Sequence, residues 1–102
     1  MSKLEFLNKD NFSDTIKSGI VCIKFTANWC APCKAMDPML EEIVENLPVN
    51  CKLYKLDVDD AHDIAAELKI KTIPTLIVFK DGKPYKVQVG RTTKEAVLKL
   101  SE

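Results

Sequence analysis

The sequence predicts an α/β domain, with a central mixed sheet of about five strands flanked by four helices. Three observations carry this. Apolar runs with β-branched content at residues 20–26, 51–58 and 75–80 read as core strands. Segments with helical spacing of apolar residues lie between them, so strands and helices alternate. Asp81-Gly82 directly follows the third run. It is a strong two-residue hairpin signal, so the sheet should end in an antiparallel pair.

In chain order, residues 4–7 read as a short first strand. Asn8 can cap a helix over roughly residues 9–18, with Phe12 and Ile16 facing inward and Gly19 ending it. Residues 20–26 then form a strand buried on both faces. The spacing of Met36, Leu40, Ile43, Val44 and Leu47 predicts a long helix over about residues 31–47. Pro38 falls inside it and should bend it, because proline removes one backbone donor and clashes with the preceding turn. Pro48 lies beyond its end.

Residues 51–58 follow as a second buried strand, and Asp59 is a good cap for a helix over about residues 61–68. The third core strand, Leu76-Ile77-Val78-Phe79, leads through Asp81-Gly82 into a strand over about residues 84–89. Thr93 caps a last helix with Ala96, Val97 and Leu100 inward. The order is β-α-β-α-β-α-β-β-α, in a single domain over residues 1–102.

Bulk properties narrow the function. At 46% hydrophobic residues the chain can build a real core, and at zero formal net charge nothing points to nucleic acid or an anionic membrane as partner. No stretch approaches the ~20 apolar residues that span a bilayer. Met1-Ser2-Lys3-Leu4-Glu5 has no apolar signal segment, so a cytoplasmic location and a monomer are the expectations. The four cysteines, at 22, 30, 33 and 51, do not read as a disulfide-stapled scaffold.

The chemistry concentrates in Trp29-Cys30-Ala31-Pro32-Cys33-Lys34, at the end of the first core strand. Two cysteines at this spacing can close into a small disulfide ring and reopen, carrying two electrons. The alternative is a zinc half-site, completed by Cys22, Cys51 or His62. Cys22 falls mid-strand, and no second Cys-x-x-Cys exists. Cys22 and Cys51 read as small buried hydrophobes, with a regulatory thiol as the other reading of Cys51. His62 reads as solvated, Met36 and Met39 as packing, and Asp57, Asp59 and Asp60 as capping rather than metal-binding residues.

With these residues in view, the chain resembles the thioredoxin family over nearly its whole length. Phe25, Ala27 and Trp29 lead into the cysteine pair as in that family, Pro38 matches its helix proline, and Lys55-Leu56-Asp57-Val58-Asp59 is similar to its third strand. Ile73-Pro74-Thr75, about forty residues beyond the cysteines, is similar to the loop whose proline is cis in the family. The resemblance implies a thioredoxin fold and a thiol-disulfide oxidoreductase that reduces protein disulfides. It also implies recharging by a thioredoxin-reductase-type enzyme, with no bound cofactor and no metal.

On this reading Cys30 is the exposed attacking thiol at a helix mouth and Cys33 the buried resolving thiol. Unpaired amides and the helix dipole stabilise a negative sulfur there. Pro32 stiffens the ring, and Ala31 stands where glycine is commoner in the family. Trp29, Ala31, Pro32, Ile73, Pro74 and Gly90 are expected to meet the target on a flat apolar patch, with Arg91 and Lys71 on its rim. The alternative for Trp29 is plain core packing.

One departure stands out. The family usually carries a buried aspartate beneath the resolving cysteine, paired with a lysine. Lys24 occupies the aspartate's position here, and Lys55 matches the partner. Two ammonium groups in a low-dielectric pocket repel each other, so one should lose its proton or turn outward. A neutral amine could take the proton of Cys33, whereas a retained ammonium would stabilise its thiolate. Lys24 reaches the surface only if the strand register is shifted. Two further functions follow as alternatives: a more oxidising disulfide exchanger, or a redox-sensing or partner-binding module with weak turnover.

Overall fold

The central strand of the sheet, β2 (Ile20–Thr26), is flanked on both sides, as its apolar run demands. In the computed structural model, which describes residues 4–48 and 51–100, the strand order is β1-β3-β2-β4-β5. The expectation placed on Met1–Lys3 lies outside the described residues. β3 (Cys51–Asp57) runs parallel to β2 and to the short β1 (Phe6–Leu7), whereas β4 (Thr75–Lys80) is antiparallel to β2. β5 (Lys83–Val89) pairs antiparallel with β4 and closes the sheet on that edge.

Side-chain alternation along β2 sorts the core into two layers. Val21, Ile23 and Phe25 face a cluster with Phe12, Ile16, Leu56, Ile77 and Phe79, beneath α1 (Phe12–Ile16) and α3 (His62–Glu67). Cys22 faces the other way, among Met36, Leu40, Ile43, Leu53, Leu76, Val78 and Val97. That layer is covered by α2 (Ala31–Val44) and α4 (Lys94–Leu100). Lys24 shares the parity of Cys22 and therefore points under α2, where it is fully buried. The shifted register that would carry it to the surface is not adopted.

Element order and type follow the sequence reading, and the departures are local. The first strand is Phe6–Leu7 rather than residues 4–7. α1 starts at Phe12 rather than near residue 9. Asn8 is not its cap: its Oδ1 accepts from the amides of Asp10 (2.8 Å) and Asn11 (3.0 Å), holding residues 8–11 in a turn. α2 runs unbroken through Pro38 and stops at Val44, before the expected Leu47. β3 gives way at Asp57 to a 3-10 turn over Val58–Asp60. Asp57 caps that turn, accepting from the Asp59 amide at 2.8 Å, and Asp59 does not cap α3, which Ala61 precedes without a side-chain cap. Thr93 does cap α4, its Oγ1 accepting from the Ala96 amide at 3.2 Å.

The hairpin takes the conformation its residues favour. Asp81 and Gly82 both have positive φ, 51° and 88°, the two-residue turn that matches strand twist. Asp81 also clamps the exit of α1, since its amide donates to the Gly19 carbonyl and its carboxylate accepts from the Gly19 amide, both at 3.0 Å.

Candidate active site

The site is built where β2 hands the chain to α2. The Cys30 amide donates to the Ala27 carbonyl at 3.1 Å, which closes the turn out of the strand. Cys30 is then the residue flanking the first turn of α2, with extended backbone (φ −91°, ψ 103°). Pro32 sits in that first turn, where its missing N–H leaves no bond unmade. The next amide, that of Cys33, donates to Cys30 Sγ at 3.2 Å. A sulfur thus occupies the place an oxygen takes in ordinary capping, at the positive end of a 14-residue helix.

Cys30 and Cys33 are joined in a disulfide with Cα atoms 5.3 Å apart, inside the ~4.4–6.8 Å range such bonds accept. Cys33 is wholly buried. Cys30 is the more accessible of the two but only 4% exposed, so the residue expected to be exposed is nearly buried in the disulfide form. Ala31, Pro32 and Lys34 are exposed beside it. Ile73 and Val58 pack against Ala27 and the two cysteines.

The 73–75 loop behaves as its resemblance implied. The Ile73–Pro74 peptide is cis, and the Pro74 carbonyl accepts from the Gly90 amide at 2.8 Å. This bond ties the loop to the end of β5. Pro74 is buried and Arg91 is exposed.

Trp29 is 70% exposed, which overturns core packing as its role. Its indole Nε1 donates to Asp59 Oδ2 at 2.9 Å, so the carboxylate expected to cap α3 orients this ring instead. Trp29 and Ile73 line a groove of about 340 Å³ with Val58, His62, Ile70 and Lys71. Of the residues expected on the docking patch, Trp29 and Ile73 line this groove together with the rim residue Lys71, and Pro74, Gly90 and Arg91 do not.

Beneath the disulfide lies the largest departure from expectation. Lys24 and Lys55 are register neighbours on β2 and β3. They do not face each other unpartnered, because Asp37 stands between them. Lys24 Nζ donates to Asp37 Oδ1 at 2.6 Å and to the Cys33 carbonyl at 2.5 Å. Lys55 Nζ lies 3.4 Å from Asp37 Oδ2 and 4.2 Å from the centroid of the Phe6 ring. Neither lysine has to turn outward. Burial pushes the Lys24 amine below the ordinary lysine value of 10.5. The Asp37 hydrogen bond and charge oppose that, and the Lys55 charge adds to it.

Asp37 was legible in principle. Cys33, Met36, Asp37 and Leu40 fall on one stripe of α2, so an acid there interrupts an otherwise apolar face. It lies four residues beyond Cys33, on the same side of the helix.

The remaining cysteines do not join the site. Cys22 and Cys51 are buried and outside the disulfide, in a cavity lined with Ile20, Ile43, Leu53 and Val97. Burial, then the proximity of Cys51, pushes the Cys22 thiol up to about 12, so it stays protonated. Among the described residues no three of His, Cys, Asp and Glu are grouped as metal ligands are, so the zinc half-site finds no partner set. No helix among the described residues is long and apolar enough to cross a membrane.

Comparison with known proteins agrees with this geometry. The Thioredoxin family model matches residues 3–101. The chain is 41% identical over 97 residues to a thioredoxin of Chlamydia muridarum, covering 95% of this chain and 94% of that one. It is 44% identical over 92 residues to a thioredoxin of Staphylococcus saprophyticus, covering 90% and 88%. Among solved structures, a mutant thioredoxin from Halobacterium salinarum superposes with a TM-score of 0.83 at 28% identity, over 95% of this chain and 85% of that one. Fold, paired cysteines and likeness agree: the chain belongs to the thioredoxin family, whose chemistry is thiol-disulfide exchange.

Proposed function

We propose that this chain reduces disulfides in target proteins through the Cys30/Cys33 dithiol. The observation that carries this is the Cys30 sulfur accepting a helix-terminal amide, with Cys33 buried behind it. That arrangement favours a thiolate at Cys30 and shields its partner from competing reactions. In the reduced chain, the Cys30 thiolate attacks one sulfur of the target disulfide, and the other sulfur leaves as a thiolate. Cys33 then gives up its proton and attacks Cys30. The second target sulfur departs, the target becomes a dithiol and the chain is left with the Cys30–Cys33 bond. Two electrons and two protons from a thioredoxin-reductase-type partner restore it, which places the chain in electron transport and cell redox homeostasis.

The groove beside Trp29 and Ile73 is where an extended target segment would lie, with Ala31, Pro32, Pro74 and Gly90 around the sulfur and Lys71 and Arg91 as flanking charge. Lys24 bears on the second step. Its ammonium, bonded to the Cys33 carbonyl, favours a thiolate on that residue, and Lys55 adds positive charge behind it. Stabilising a thiolate favours the dithiol form. The potential should then be less reducing than the about −270 mV of a typical thioredoxin. This is the observation that favours the more oxidising exchanger as second reading. We place the chain in the cytoplasm, working as a monomer.

Reduction of insulin disulfides in the presence of dithiothreitol tests the proposal. The unmodified chain should accelerate it, and Cys30→Ser should abolish the acceleration. Cys33→Ser should accumulate a mixed disulfide with the target. An unmodified chain that gives no rate above dithiothreitol alone would leave only a binding or sensing module.

A further inference from the structure

Lys24 is a lysine with no solvent contact, and its charge needs a physical cause. An isolated buried ammonium costs several kcal/mol and ordinarily gives up its proton instead. The groups packed around this one are few. β4 offers Leu76 in register with Lys24, which is apolar, and β3 offers Lys55, which repels. From α2 come the Cys33 carbonyl and Asp37. Asp37 is the one anion that touches the Lys24 ammonium among the described residues.

Asp37 is also placed so that its own charge is cheap. Its side chain is 29% exposed, whereas that of Lys24 is 0% exposed. One carboxylate oxygen faces the buried amine and the other faces Lys55 near the rim. The pair therefore has one dry end and one wet end. A carboxylate kept partly in water holds an ammonium that has none.

We infer that Asp37 is a positioning residue for the exchange reaction: its carboxylate pins the Lys24 ammonium to the Cys33 carbonyl and keeps it charged beneath the resolving thiol. The inference rests on the reading of Cys33 as that thiol, and it concerns a residue that touches neither sulfur. Asp37 acts through Lys24. Without it Lys24 is neutral over more of the pH range, and the positive charge next to Cys33 is lost with it.

The test reads Lys24 directly. The side-chain amine is titrated by NMR in the unmodified chain, in Asp37→Asn and in Asp37→Glu. The Lys24 midpoint is expected to fall by about one to three pH units in Asp37→Asn, the size of effect an opposite charge at this range has. Asp37→Glu should recover most of that shift. Lys55→Met serves as a second variant, which keeps the Asp37 carboxylate on Lys24 and removes only its longer contact, the one at 3.4 Å. It removes the repelling charge, so the Lys24 midpoint should rise. The midpoint potential of the cysteine pair, measured against pH, should bend where Lys24 titrates. That bend should move down in Asp37→Asn and vanish in Lys24→Met/Asp37→Asn.

A Lys24 midpoint unmoved in Asp37→Asn, or one that falls in Lys55→Met, overturns the inference. So does a bend that survives in the double variant. Failure of the underlying function would look different, because the unmodified chain would then not reduce insulin whatever Lys24 does.

Discussion

Lys24 Nζ and Asp37 Oδ1 stand 2.6 Å apart, joining the central strand to the helix that Cys30 caps and that contains Cys33. The pair crosses the interface between sheet and helix, where Leu76 is the register partner of Lys24 and Met36 and Leu40 share the α2 stripe of Asp37. An ion pair so placed adds little net stability compared with apolar residues of the same volume. Breaking it by removing one partner is costly, because the other charge stays behind.

That asymmetry can be measured by urea unfolding. Asp37→Leu should lose about 3 kcal/mol, because it strands a fully buried ammonium. Lys24→Met/Asp37→Leu should recover most of that loss, despite changing two residues. If the losses of Asp37→Leu and of Lys24→Met alone simply add in the double variant, the residues are not coupled and the pair has no energetic meaning.

Alkaline pH should pull stability in two directions. The Cys22 thiol is raised from 9.0 to about 12 on folding. The unfolded chain therefore ionises first, and the stability intact below pH 9.0 is lost as pH rises toward about 12. Lys24 is shifted the other way. The folded chain sheds that proton first, so stability is gained as pH rises from the lowered value to 10.5. Unfolding curves for Cys22→Ala should lack the alkaline loss, and those for Lys24→Met should lack the gain. Identical pH profiles for all three proteins would contradict both assignments.

Trp29 should matter for targets and not for stability. The ring is 70% exposed and held by one bond to Asp59, so Trp29→Ala should leave the unfolding midpoint nearly unchanged. For a protein disulfide it should raise KM roughly tenfold, about 1.4 kcal/mol of lost contact. Turnover with a small disulfide that does not fill the groove should be unaffected. Equal losses with both substrates would move Trp29 from target docking into the cysteine chemistry.

Much of this protein is written in local pattern. Apolar runs with β-branched content placed β2, β3 and β4, the Asp81-Gly82 pair placed the hairpin, and Cys-Ala-Pro-Cys marked the mouth of α2. The resemblance placed Lys24 beneath the resolving cysteine, and strand parity puts it on the face of Cys22, since residues two apart on a strand share a face. These features depend on neighbours within a few positions, which a sequence displays directly.

Other features needed the third dimension. Where α1 begins was decided by side-chain bonds among Asn8, Asp10 and Asn11, which compete with the helix for the same amides. Asp59 was taken from its expected capping role by Trp29, thirty residues earlier in the chain. The partner of Lys24 is likewise thirteen positions away, on a different element. Which acid meets which base depends on how α2 lies over the sheet, and no periodicity records that. Residue order was enough to set a disulfide-forming pair at a helix mouth above a buried lysine. That this lysine has a carboxylate to hold it came from the packing of α2 against β2 and β3, because such charges find each other through space and not along the chain.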